Sequence, residues 1–235
     1  MSPHPVHLRP ETREKLAAQR GGSPHVHGDL DPERTALVVI DMQNAFCEPG
    51  APAEIPAARN AVGTINRVAA LLRQTGGRVV WVTHENRIGA DGKTDWPALY
   101  ERFLPEAARA RMLAAMQPGA DGTKLWGDLE DRPEDLHVVK NRFSALINGS
   151  SNLERSLRGL GVETIIVAGT KTDVCCESTA RDAMMLDFNV IMLADGCATA
   201  TDEDHLASLE SLARRFADVM TADEVADRLT AQSGE

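Results

Sequence analysis

Aromatic rings, paired cysteines, basic clusters and long apolar runs are all scarce in this chain. Aromatic residues make up 4% of its 235 positions, so the core must be aliphatic and any gathering of rings is a local feature that needs a reason. The four cysteines, Cys47, Cys175, Cys176 and Cys197, contain no CxxC pair. That pattern excludes a disulfide scaffold and a zinc ribbon, and points to free thiols in a reducing cytoplasm. The net charge is −10 with no basic patch against it, which argues against nucleic acid as a partner. No apolar run is long enough to span a membrane, and the opening MSPHPVHLRPETREK is rich in Pro, His and Arg where a secretory leader would be apolar. The expectation is a cytoplasmic protein acting on a small molecule.

What is present is an alternation of buried strands and amphipathic helices. Residues 1–33 hold Pro5, Pro10, Gly21, Gly22 and Pro24 with at most a turn or two of helix. They read as an N-terminal arm lying on the body or on a neighbouring subunit. His25 and His27 resemble a metal pair, but a Pro/Gly-rich arm favours the bland reading. Residues 34–235 read as one domain. ALVVI is a buried strand ending on Asp41; EIPAARNAVGTINRVAALLRQTGG is a crossover helix closed by glycines; RVVWVTHEN is a second strand carrying His84, Glu85 and Asn86 out of its end. LHVVK is a third, ending on Lys140, and the helix after it turns Leu153, Leu157 and Leu160 inward. ETIIVAG, NVIMLADG and FADVM complete the strands. This predicts an α/β fold, a three-layer α/β/α sandwich with a mainly parallel sheet of about six strands. Between Arg87 and Pro133 periodicity fades and Trp96, Tyr100, Phe103 and Trp126 appear. These rings either wall a pocket or oligomer contact or merely pin a long connection.

The most informative stretch is IIVAGTKTDVCCESTARDA, Ile165 to Ala183. A buried strand breaks at Gly169, passes a short polar turn and restarts as a helix with Cys175 or Cys176 in its opening turn. Unpaired amides and the dipole at a helix start stabilise a thiolate and a developing oxyanion. Taken alone, the thiol could equally be a small core hydrophobe. Three strand ends, however, deliver an acid (Asp41), a base (Lys140) and a thiol to one edge of one sheet, where open parallel sheets bind ligands. An Asp beside a Lys can take the thiol proton and later protonate a leaving amine, and backbone amides of the Thr172 to Cys175 turn could hold the oxyanion.

The ordered motifs VVIDMQNAF, VVKNRFSAL and GTKTDVCCESTARDA resemble the isochorismatase-like cysteine hydrolases, a superfamily that includes nicotinamidase, N-carbamoylsarcosine amidohydrolase and ureidoacrylate amidohydrolase. The match runs from about Thr35 to about Met220. The resemblance implies a catalytic triad of Asp41, Lys140 and Cys175, with Cys176 a buried neighbour. It implies an oxyanion hole of the Thr172 and Cys175 amides, and a non-proline cis peptide at Lys171-Thr172. Metal-binding members hold the ion through a D-x-H setting after the second strand; here THENR has one His, so no metal and no other cofactor is expected. Isochorismatases proper lack the nucleophilic Cys, so its retention favours C–N cleavage in the ureidoacrylate or N-carbamoyl branch, through a thioester intermediate. Two alternatives are vinyl-ether hydrolysis and a non-catalytic oligomeric binding protein. Asn86, Arg87, Trp96, Tyr100 and Arg142 are the candidates for the pocket wall, and the family's habit implies a homo-oligomer, dimer or tetramer.

Overall fold

In the computed structural model, which describes residues 4–230, six parallel strands form one sheet in the order β3-β2-β1-β4-β5-β6. In chain order the elements are α1 (Pro10–Gln19), β1 (Thr35–Ile40), α2 (Asn44–Cys47), α3 (Ala58–Thr75), β2 (Arg78–His84), α4 (Pro97–Arg102), α5 (Glu106–Met116), β3 (Leu136–Lys140), α6 (Leu153–Gly159), β4 (Thr164–Thr170), α7 (Glu177–Met185), β5 (Asn189–Ala198), α8 (Asp202–Ala213), β6 (Asp218–Met220) and α9 (Ala222–Thr230). β1 and β4 are buried at every position, as expected of central strands covered on both faces, whereas β3 on the sheet's edge buries only Val138 and Lys140.

Successive residues of a strand point to opposite faces, and the core divides accordingly. Val38, Ile40, Val80, Val82, Ile165 and Val167 pack on one side with Leu157, Ala180 and Leu209. Leu37, Val39, Val79, Trp81 and Ile166 pack on the other with Val62, Ile65 and Val225. α6, α7 and α8 therefore cover one face, and α3 and α9 the other. α3 ends where Gly76 adopts φ 90° and its N–H returns to Leu72 O, the left-handed C-cap that the Gly pair predicts.

Two expectations need correction. The stretch from Arg87 to Pro133 is not structureless, because it carries α4 and α5. α5 is exposed around most of its circumference, with Met116 its one buried residue, so it leaves no periodic apolar stripe in the sequence. Leu160 does not turn inward: α6 ends at Gly159 and Leu160 is exposed.

The segment before β1 lies along the body. Leu16 is buried in one core layer and Leu30 in the other. The backbone amides of Val26 and His27 donate to the Asp218 carboxylate at 2.8 and 2.7 Å. His4 stacks on His205 with ring centroids 4.7 Å apart.

The chain runs β1 to β2 to β3 outward on one side, then returns to place β4 on the other side of β1. The crevice between the ends of β1 and β4 is thus the point where strand order reverses, the place where open α/β sheets bind ligands. Gly169 is what lets these strands close together. Its φ is +111°, and a Cβ there would lie 2.0 Å from the carbonyl oxygen of Ile40, so no other residue fits.

Candidate active site

β1 delivers Asp41 directly into this crevice. Its φ of 54° is uncommon for a non-glycine residue, although Asp tolerates the left-handed region better than most. The conformation is fixed on both sides: Asp41 N donates to Val82 O, and Gln43 N donates to Asp41 O, each at 2.8 Å. Gln43 in turn ties the ends of β1 and β2 together, accepting from His84 N at 2.7 Å and donating to His84 O and Thr123 O at 3.1 Å. A backbone held so tightly in a sparsely populated region marks a functional position.

Lys140 reaches over from the end of β3. It is fully buried, and its ammonium lies 2.8 Å from Asp41 Oδ2. The same nitrogen donates to Arg142 O at 3.0 Å and to His84 Nδ1 at 3.1 Å. An ammonium can only donate, so His84 carries its hydrogen on Nε2 and gives it to Asn86 Oδ1 at 2.7 Å. Tyr100 donates its hydroxyl to the same oxygen at 2.9 Å, and Asn86 Nδ2 donates to Asp95 Oδ1 at 3.0 Å. A buried chain of hydrogen bonds thus runs outward from Lys140. Burial first, and then the Lys140 charge, hold His84 well below its ordinary pKa, so the ring is neutral.

Cys175 comes from a π-helical turn, Thr172–Cys176, between β4 and α7. Such turns recur at functional sites. Val174 N and Cys176 N both donate to Lys171 O, at 3.2 and 3.1 Å. The cis peptide lies at Thr170-Lys171, one bond earlier than the expected Lys171-Thr172, because β4 keeps its pairing through Thr170 with Ala198 and the chain turns immediately after. Thr172 is anchored behind the turn: its hydroxyl meets His205 Nδ1 at 2.9 Å and its carbonyl accepts from Ser208 at 3.3 Å.

Asp41, Lys140 and Cys175 are therefore brought together, with Sγ of Cys175, a carboxylate oxygen of Asp41 and a ring nitrogen of His84 all within 4.8 Å of one another. Burial and the Asp41 carboxylate push the Cys175 thiol up, and Lys140 only partly offsets them. The resting sulfur is a thiol and not the standing thiolate that a helix start alone would favour. Burial also raises Asp41 against the pull of Lys140. Desolvation opposes the ammonium of Lys140, but the charge of Asp41 and the hydrogen bonds that Lys140 makes to Asp41 and Cys175 raise its pKa and keep it protonated. Apart from the ion pair and the adjacent thiol, the Asp41 carboxylate takes no hydrogen bond from the described residues, so it has free lone pairs for a proton. Cys176, next in sequence, points its sulfur the other way, 3.8 Å from Ala168 O in the core.

Asp41, His84 and Cys175 are also the described residues that could hold a metal ion. The Lys140 ammonium already contacts two of the three, so a divalent cation would have to displace it or take its proton.

Of the expected wall residues, Tyr100 does line the cavity beside Cys175, together with His84. Asn86 stands behind as the hub of the hydrogen-bonded chain. Trp96 stacks on His84 at 5.9 Å and meets Phe143 edge-on at 4.6 Å, outside the lining. Arg142 lies over Trp96 at 5.1 Å and spends its guanidinium on Asn141 O and Asp95 O. Arg87 is exposed and away from the cavity. His84 is the residue that the sequence reading placed at the end of the second strand without giving it a role in the site. The signal was its place at the end of β2, the strand lying between those that carry Asp41 and Lys140.

The isochorismatase domain model matches residues 35–224. A protein of Arabidopsis thaliana described as a probable inactive nicotinamidase is 36% identical over 178 residues, covering 74% of this chain and 86% of its own. The ureidoacrylate amidohydrolase RutB of Caulobacter segnis is 30% identical over 187 residues, covering 74% and 76%. Among solved structures, a cysteine hydrolase from Pseudomonas syringae pv. phaseolicola superposes with a TM-score of 0.76 at 28% identity, covering 88% of this chain and 97% of that one.

Proposed function

The chain belongs to the isochorismatase family, and we propose that it is a metal-independent cysteine amidohydrolase cleaving the C–N bond of a small amide or ureido substrate through a thioester. The observation that carries this reading is the buried contact of Asp41, Lys140 and Cys175 at the strand-order reversal. A vinyl-ether hydrolase or a binding protein has no need of that arrangement, and the similarity to a ureidoacrylate amidohydrolase supports C–N chemistry.

In this mechanism the sulfur of Cys175 attacks the substrate carbonyl while its proton passes to Asp41. The raised pKa of Asp41 makes it a stronger base than an ordinary carboxylate, so the transfer is less uphill from the raised thiol. Lys140 keeps the site's charge balanced as negative charge moves from carboxylate to sulfur and on to the carbonyl oxygen. We assign the oxyanion to the amide of Cys175, with that of Thr172 as second donor. Asp41 then protonates the leaving nitrogen, ammonia or an amine departs, and water hydrolyses the thioester with Asp41 again as base. Neutral His84 orients Lys140 and takes no proton.

The test is a comparison of neighbouring cysteines in an ammonia-release assay. Cys175→Ala should abolish turnover and Cys176→Ala should retain much of it. Loss of activity in the second variant alone would overturn the assignment.

A further inference from the structure

The cavity in front of Cys175 has a volume of about 530 Å³, within the range of small-molecule sites. Its walls are apolar: Phe46, Leu99, Met112, Met116, Phe143 and Val174 surround the opening to the sulfur. Phe46 and Met116, with Ala45 and half-buried Met112, form a third apolar cluster distinct from the two that cover the sheet. Nothing in the fold's own layering requires that cluster, which faces the nucleophile and not the core. The charged side chains on the wall are Glu54 and Lys171. Glu54 already accepts from Gly50 N at 2.8 Å and Arg59 at 3.0 Å. Lys171 is half-buried, and a single partly solvated ammonium binds a carboxylate weakly. Among the described residues no arginine lines the cavity to grip a carboxylate with two parallel bonds.

From these walls we infer that the enzyme selects amides whose acyl group is apolar, aliphatic or aromatic, over compact ureido acids bearing a carboxylate. The inference rests on the amidohydrolase reading for its chemistry: R–CO–NH2 and water give the acid and ammonia, with R seated against the rings and methionines. Methionine side chains adapt to differently shaped chains, so length and bulk should matter more than exact outline.

The experiment measures kcat/KM for ammonia release along acetamide, propionamide, butyramide and hexanamide, with benzamide and N-carbamoylglycine beside them. The expected result is a rise of about fourfold per buried methylene, with N-carbamoylglycine below butyramide. Leu99→Asp, which puts a charge on that wall, should flatten the series. A flat or falling series, or N-carbamoylglycine as the preferred compound, overturns the substrate class and leaves the amidohydrolase reading standing. Calorimetry of the same compounds on Cys175→Ser separates the two claims. Hexanamide binding more tightly than acetamide, with no ammonia released from any compound by the wild type, sinks the reaction and keeps the pocket. Equal binding sinks the pocket.

Discussion

Lys140 and His84 are register partners on adjacent parallel strands, and their side chains meet with Nζ 3.1 Å from Nδ1. The pairing gives the ammonium a neutral acceptor that does not compete for its charge, and it fixes the direction in which Lys140 faces Asp41. His84→Ala should lower kcat by roughly tenfold to a hundredfold, the scale of a sub-ångström misplacement. His84→Gln, which can offer an oxygen in the same place, should recover part of the loss. Because neutral His84 transfers no proton, the pH profile of kcat/KM should keep its acid limb in both variants. That limb belongs to Asp41, whose raised pKa places it above pH 3.8. A wild-type limb near pH 6.5 that vanishes in His84→Ala would make the ring a proton carrier instead.

The ion pair of Asp41 and Lys140 is fully buried on both sides. Removing one partner leaves the other charge uncompensated, whereas removing both does not. Lys140→Met should therefore destabilise the fold by about 3–5 kcal/mol in denaturant unfolding. The double variant Asp41→Asn/Lys140→Met should regain most of that stability and remain inactive. Equal stability of the single and double variants would show that the pair is not energetically linked.

His205 anchors the nucleophile turn through Thr172. Burial, and then the neighbouring His4, lower its pKa to about 4. Between that value and its ordinary 6.5 the unfolded chain binds a proton that the folded chain does not. Stability therefore rises with pH across this window and is lost as pH falls through it, by on the order of 3 kcal/mol. His84 contributes with the same sign, so the comparison must be with His205→Gln, in which the loss between pH 6.5 and 4 should be smaller. Identical losses in the two proteins would contradict the assignment.

The strands and their parallel arrangement were legible in the sequence because fully buried parallel strands write themselves as unbroken apolar runs. Asp41 and Lys140 end such runs and so had to lie at the crevice; the turn after the fourth strand brought a thiol there too, and the choice of Cys175 over Cys176 came from the family resemblance. The His84–Asn86–Tyr100 chain was not legible. It depends on the register of β2 against β3, two strands separated by the whole of the long connection, and on α4 folding back to present Tyr100. α5 was invisible because solvent surrounds most of it. The cis bond was displaced by one residue because resemblance fixes motif positions, whereas the end of strand pairing at Thr170 is a property of the folded sheet.

A thioester mechanism depends most directly on which group bonds to the acyl carbon. Acid quenching of the wild-type enzyme during turnover of a slow amide, followed by peptide mass spectrometry, should show the acyl mass on the peptide containing Cys175 and Cys176, with fragmentation assigning it to Cys175. The adduct should persist in Cys176→Ala and be absent from Cys175→Ala. An acyl group on Cys176, or unimpaired ammonia release from Cys175→Ala, would contradict it.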